Sequence, residues 1–213
     1  MSLFITFEGI EGSGKSTQVK MLGEYLTGKG KEVLLLREPG GTTIGEEVRS
    51  ILLNKEKGDG MDGLTELLLY EACRVEIIKN IIKPELEAGK VIICDRFTDS
   101  TLAYQGYARG LDKDLIVSLN ERASLGVLPH VTLLIDLPVE EGLKRAGKRS
   151  EEMADGAKED RFESLGQEFH EKVRQGFLEI AKKEPERVKI VDGSQQISAI
   201  HTEICAILDK ILL

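Results

Sequence analysis

A short run rich in β-branched and aromatic residues, Leu3-Phe4-Ile5-Thr6-Phe7, passes through Glu8 into Gly9-Ile10-Glu11-Gly12-Ser13-Gly14-Lys15-Ser16-Thr17 and then into a helical pattern. A strand that breaks on glycines just before a helix bares backbone N–H groups at the helix N-terminus, where they wrap phosphate oxygens. The spacing Gly-x-x-x-x-Gly-Lys-Ser is that of a phosphate-binding loop. Lys15 reaches the β- and γ-phosphates as a point charge, and the Ser16 hydroxyl ligates the Mg²⁺ that travels with the nucleotide. A purely structural glycine turn is the plain alternative, and the order strand, loop, helix argues against it. Residues 9–17 are therefore expected to hold a nucleoside triphosphate.

Downstream, short apolar runs alternate with helical spacing. Strands are predicted over residues 3–7, 33–37, 91–95, 131–137 and 188–191; they lack polar alternation, as strands buried on both faces do, so a parallel sheet between helical layers follows. Apolar positions three and four apart predict helices over 17–27, 44–53, 64–82, 113–125, 139–146, 165–182 and 197–211. The fold class is α/β, doubly wound. The glycine-bearing stretch 54–63 reads as a surface loop. Residues 147–156 hold Lys148, Arg149, two glycines and several acids with little apolar content, so they are expected to be irregular, and mobile when the site is empty.

At 213 residues the chain suits a single domain, 1–213. Its 29 basic and 37 acidic residues give a net charge of −8, which repels polyanions and argues against a nucleic-acid polymer as partner. Cys73, Cys94 and Cys205 are odd in number and lack metal-ligand spacing, which points to a reducing, cytoplasmic compartment. No basic leader precedes an apolar stretch, and no apolar run approaches the ~20 residues that span a bilayer, so neither secretion nor membrane insertion is expected.

In an open parallel sheet, ligands sit outside the carboxyl ends of the strands. Here the second strand ends in Arg37-Glu38-Pro39-Gly40-Gly41-Thr42, the third in Asp95-Arg96-Phe97 and the fourth in Asp136-Leu137-Pro138. Asp95 is placed like an acid that holds Mg²⁺ or its water, and Arg96 aims a planar fork into the same cleft. A structural ion pair capping the strand is the alternative. Phosphoryl transfer spreads negative charge over equatorial oxygens, so further cations are wanted. Arg145, Lys148, Arg149 and Arg161 bracket the polar stretch. Closing it as a lid, about 146–162, would bring guanidinium groups to the phosphates and exclude water; a solvated charged loop is the alternative.

With these motifs and Ser100-Thr101-Leu102-Ala103-Tyr104-Gln105-Gly106, the chain resembles thymidylate kinase over nearly its whole length. The resemblance implies a P-loop nucleoside monophosphate kinase fold with a five-stranded parallel sheet and helices on both faces. It implies transfer of the γ-phosphoryl group of ATP to dTMP, giving dTDP and ADP, with Mg²⁺, in a cytosolic homodimer. It also implies roles. Tyr70, in Leu69-Tyr70-Glu71-Ala72-Cys73-Arg74, stacks on thymine, a contact of roughly 1–3 kcal/mol. Arg74 hydrogen-bonds the base, Arg96 grips the acceptor phosphate, and Thr101 with Gln105 reads the thymine edge. Glu38, Pro39 and Ser100 complete the acceptor pocket. Tyr104 lies beneath the deoxyribose, leaving no room for a 2′-hydroxyl, and Glu11 positions the sugar or bound water. Arg145 covers adenine, and Val191-Asp192-Gly193-Ser194-Gln195 is similar to the family's adenine loop, with Ser194 as a contact.

The phosphate loop carries Ser13 and no arginine, and Gly41 stands where eukaryotic members have one. Both features resemble the bacterial subgroup whose catalytic arginine comes from the lid, here Arg149, with Arg161 as the other candidate. Cys73 replaces the usual acid before Arg74, and His130 the usual Asp after Pro129, which leaves the orientation of Arg74 open. A phosphate monoester with its second pKa of about 6 is largely ionised at neutral pH, so no general base is required. The scattered His130, His170 and His201 agree. Two other readings remain: a kinase for another nucleoside monophosphate, and a nucleotide-dependent switch. Against the switch, no Asn-Lys-x-Asp follows the fourth strand and no Asp-x-x-Gly the third.

Overall fold

The computed structural model describes residues 2–152, 161–162 and 164–212, with backbone alone at 149–152 and at 212. Its strands are β1 (Leu3–Glu8), β2 (Val33–Arg37), β3 (Val91–Asp95), β4 (Val131–Asp136) and β5 (Val188–Asp192). The helices are α1 (Lys15–Gly28), α2 (Thr43–Leu53), α3 (Gly63–Ile77), α4 (Lys83–Glu87), α5 (Thr98–Thr101), α6 (Lys113–Ala123), α7 (Val139–Glu152), α8 (Gln167–Lys183) and α9 (Ile197–Leu212). Two π-helical segments, Ile78–Ile82 and Leu102–Ala108, extend α3 and α5.

The strands form one sheet in the order β2-β3-β1-β4-β5, all pairs parallel. β1 is central and every one of its residues is buried, which is why its sequence shows no polar face. Leu3, Ile5 and Phe7 pack on one side with Leu22 and Leu26 of α1 and Ile204 and Leu208 of α9. On the other side Phe4 meets Ile77, Ile78 and Ile82, while Leu134 meets Val173 and Phe177 of α8. Each such side chain contributes about 1.5–3 kcal/mol by leaving water. The chain runs from β1 to one side of the sheet and returns to the other through β4, so a crevice opens at the carboxyl end of β1.

All five predicted strands lie within one residue of the observed ends. One expectation is overturned: α7 continues to Glu152, so residues 147–152 are helical and not irregular. Lys, Arg and Glu are good helix formers whatever their polarity, and a low apolar content does not prevent a helix. The remainder of the expected lid, residues 153–160 together with Glu163, lies outside the described residues. The loop 54–62 is irregular as expected, and Asp62 ends it by accepting from Leu64 N at 2.9 Å, capping α3. Helix also covers 98–108, which apolar spacing did not indicate, and Lys83–Glu87, which runs on from the π-helical turn Ile78–Ile82 with Pro84 at its second position. Among the described residues no helix is long and apolar enough to cross a membrane.

Candidate active site

The crevice is built first by the glycine loop. Gly9 and Gly12 have φ of +140° and +69°, and a Cβ on Gly12 would stand 2.1 Å from the Gly142 carbonyl oxygen of α7. Only glycine lets the loop lie this close against that helix. Lys15 folds back under the loop, its Nζ donating to the carbonyls of Gly9 (3.0 Å) and Ile10 (2.8 Å) and to Ser13 Oγ (3.3 Å). Burial pushes its pKa down to about 8. Ser16 and Thr17 are exposed at the start of α1, and a cavity of 160 Å³ is lined by Gly12, Gly14, Lys15, Ser16, Thr17 and Arg145.

Arg145, one helical turn beyond Gly142, joins this cavity to the loop after β5. It donates to the Gly193 carbonyl at 3.3 Å and pairs with Glu141. Ser194 is held in that loop by Asp192, through its amide at 2.9 Å and its hydroxyl at 2.6 Å. At the other end of the loop, Ser16 Oγ donates to Asp95 Oδ2 at 2.8 Å. A hydroxyl and a carboxylate oxygen side by side are hard donors of the kind Mg²⁺ takes, the other positions falling to phosphate and water.

Arg96 follows β3 with φ +71°, a left-handed conformation that turns its side chain back into the crevice. Its guanidinium donates to the Gly9 carbonyl (3.1 Å), Ser100 Oγ (3.0 Å) and Glu11 Oε1 (3.1 Å), and lies 4.9 Å from the Tyr104 ring centroid. Glu8, buried beneath, fixes this turn by accepting from Phe97 N at 2.8 Å and from Ser100 N and Oγ. Burial, then the neighbouring Asp99, pushes the Glu8 pKa up to about 8. Glu11 also accepts from the Tyr104 hydroxyl at 2.6 Å, and His170 Nδ1 stands 3.1 Å from its other oxygen. Burial alone would raise the Glu11 carboxyl; His170, Arg96 and Lys15 instead hold it well below the usual range.

Beyond Arg96 a second set of side chains converges. Phe162 packs between Tyr70 and Tyr104, ring centroids 6.5 Å and 5.5 Å away. Arg74, only 1% exposed, donates to Glu38 (3.0 Å), both oxygens of Glu71 (2.9 Å), Asn120 (2.7 Å) and Thr101 Oγ1 (2.8 Å). The orientation left open by Cys73 is thus set by Glu71 and Glu38, and the guanidinium expected on the base is committed to protein partners in this state. Pro39 is buried and gives its carbonyl to Arg49. Gln105 donates to Glu66 at 2.8 Å. Of the two lid arginines, Arg161 is buried, with its Nη1 on the Leu52 carbonyl (3.0 Å) and on Glu66 (2.6 Å). Arg149 lies two turns beyond Gly142 on α7, with its side chain outside the described residues.

The fold therefore gathers Lys15, Ser16, Asp95, Arg96, Glu11, Tyr104 and Ser100 into one crevice, with Tyr70, Arg74, Thr101 and Gln105 in its flank. Sequence reasoning missed Glu66, Glu71, Asn120, Phe162 and His170. Glu66 carried a signal, since it stands four residues before Tyr70 and eight before Arg74, on one face of α3. For Asn120 and His170 the sequence held none; only packing brings α6 and α8 to the site.

A family model described as thymidylate kinase matches residues 7–204. A thymidylate kinase of Geotalea uraniireducens is 51% identical over 206 residues, 97% of this chain and 96% of the relative. One from Thermoanaerobacter sp. is 44% identical over 209 residues, 98% of each chain. The crystal structure of thymidylate kinase from Ehrlichia chaffeensis superposes with a TM-score of 0.78 at 41% identity, covering 98% of both chains.

Proposed function

Because the chain belongs to the thymidylate kinase family, we propose that the crevice at the end of β1 is where its two nucleotides meet, with the residue roles that follow. The enzyme phosphorylates dTMP with ATP to give dTDP. A bond forms between an oxygen of the dTMP phosphate and the γ-phosphorus, and the bond from that phosphorus to the β,γ-bridging oxygen breaks, leaving ADP. The acceptor oxygen is ionised at neutral pH, so no proton needs removal before attack. The remaining difficulty is bringing two polyanions together.

Lys15 and the amides of residues 9–17 hold the triphosphate, and Arg145 with Ser194 flanks the adenine. Ser16 and Asp95 hold Mg²⁺, which when bound neutralises charge on the phosphates. Arg96 takes the acceptor phosphate: it already bridges the Gly9 carbonyl and Glu11, on the border between loop and flank. Tyr70 stacks on the thymine, Tyr104 lies beneath the sugar, and Thr101 and Gln105 read the base. Glu38, Pro39 and Ser100 act from behind, through Arg74, Arg49 and Arg96. Arg149 supplies charge to the transferring group from a lid of residues 146–162, with Arg161 as its alternative. The single domain works as a homodimer in the cytoplasm, apart from membrane and nucleic acid.

The observation that carries this reading is Arg96, whose fork spans from the phosphate loop to the aromatic flank. Detection of ADP with dTMP, dUMP, dCMP and AMP as acceptors, in the presence of Mg²⁺, tests it. Turnover with dTMP that is lost in Arg96→Ala is the expected result. Nucleotide binding with no dTDP formed would return the chain to the switch reading.

A further inference from the structure

Glu66 of α3 is fully buried, yet it is surrounded by donors. Its Oε1 accepts from Gln105 Nε2 (2.8 Å) and Arg109 Nε (2.6 Å); its Oε2 accepts from Arg109 Nη2 (2.8 Å) and lies 2.6 Å from Arg161 Nη1. A carboxylate between two arginines is an acceptor only. An amide side chain facing it has one acceptable sense, nitrogen inward, because the reverse would set carbonyl oxygen against carboxylate oxygen.

We propose that Glu66 is a specificity-determining positioning residue: by fixing the sense of the Gln105 amide, it leaves the carbonyl Oε1 of Gln105 as the group offered to the base. This rests on Gln105 reading the base. A carbonyl pairs with the N3–H of thymine or uracil and repels the bare N3 of cytosine. Glu66 thereby separates dTMP and dUMP from dCMP, leaving the 5-methyl group to the apolar walls. A site with a buried polar group left unmatched rejects the wrong ligand more strongly than a missing methyl does. Arg109 and Arg161 belong to the same device: by pairing with Glu66 they hold its carboxyl group in place against Gln105.

The test compares kcat/KM for dTMP and dCMP in Glu66→Gln and Gln105→Met. In Glu66→Gln the new amide turns its oxygen to the two arginines and its NH₂ to Gln105, which then reverses. The dTMP:dCMP ratio should fall at least tenfold, chiefly through KM, while Glu66→Asp, still an acceptor only, keeps the ratio. Gln105→Met should lower kcat/KM for dTMP. If Gln105→Met lowers it but a folded Glu66→Gln keeps the wild-type ratio within twofold, the inference fails and base reading by Gln105 stands. If Gln105→Met changes neither substrate, base reading by Gln105 fails and takes the inference with it. The unaltered enzyme gives a readout that needs no variant to fold. The ¹⁵N-labelled side-chain amide of Gln105 should show one slowly exchanging proton that survives dTMP binding; two rapidly exchanging protons overturn the assignment.

Discussion

Ser16 Oγ donates to Asp95 Oδ2 at 2.8 Å, tying the first turn of α1 to the end of β3. Neither residue is deeply buried, so the pair is held by the loop and the strand that carry it. Replacing Asp95 with Asn should raise the Mg²⁺ concentration for half-maximal activity about 10- to 100-fold, with Tm little changed. A magnesium titration of the variant checks this; an unaltered midpoint would remove Asp95 from the metal's surroundings.

Arg149 and Arg161 should separate by what each loses. Arg161 pairs with buried Glu66 and the Leu52 carbonyl, so Arg161→Ala should lower stability by at least about 1 kcal/mol. Arg149→Ala should leave Tm in place and lower kcat by about 10²–10³-fold, with ATP affinity nearly kept. Melting curves and steady-state kinetics on both variants decide. The opposite assignment of losses transfers the catalytic role to Arg161.

Burial pushes the Glu38 pKa up to about 7, against the pull of Arg74, from an ordinary 4.5. The folded state then binds more protons than the unfolded chain between those values. Glu38 accordingly contributes stability that is fully present below pH 4.5 and is lost as the pH rises through 7. Glu38→Gln, which keeps an acceptor for Arg74, should flatten the fall of Tm over this window relative to the wild type. Parallel Tm profiles for the two proteins would contradict the assignment.

Gly12 and Gly14 both have positive φ, but a Cβ at Gly14 meets nothing within 4 Å while one at Gly12 meets the Gly142 carbonyl. Gly14→Ala should cost only the backbone strain, about 1–2 kcal/mol. Gly12→Ala must also push α7 off the loop, so it should lose more stability and weaken ATP binding. Thermal melts and ATP titration of the two variants provide the comparison.

Removing the Tyr70 ring takes away one wall beside Phe162. Tyr70→Ala should raise KM for dTMP about 10- to 100-fold, the equivalent of roughly 1–3 kcal/mol of stacking, and leave KM for ATP unchanged. An equal rise in both constants would mean that the ring supports the fold and not the base.

The sequence alone determined the parallel sheet, the phosphate loop and the candidates at the strand ends, because each is written in local chemistry: unbroken apolar runs, glycines before Lys15, and Asp95 behind four apolar residues. It misjudged residues 147–152 because polarity was read as disorder where helix propensity prevailed. Tertiary structure decided how the charges are paired. That Arg74 is held by Glu38, Glu71 and Asn120, that Arg161 and Gln105 share Glu66, and that His170 stands beside Glu11 depends on how α6 packs against α3 and α8 against the helical segment Leu102–Ala108. Apart from Glu71, one helical turn before Arg74, these partners lie tens of residues apart, and a buried charge is satisfied by whichever donor or acceptor the fold brings within about 3 Å, a distance that sequence spacing does not record.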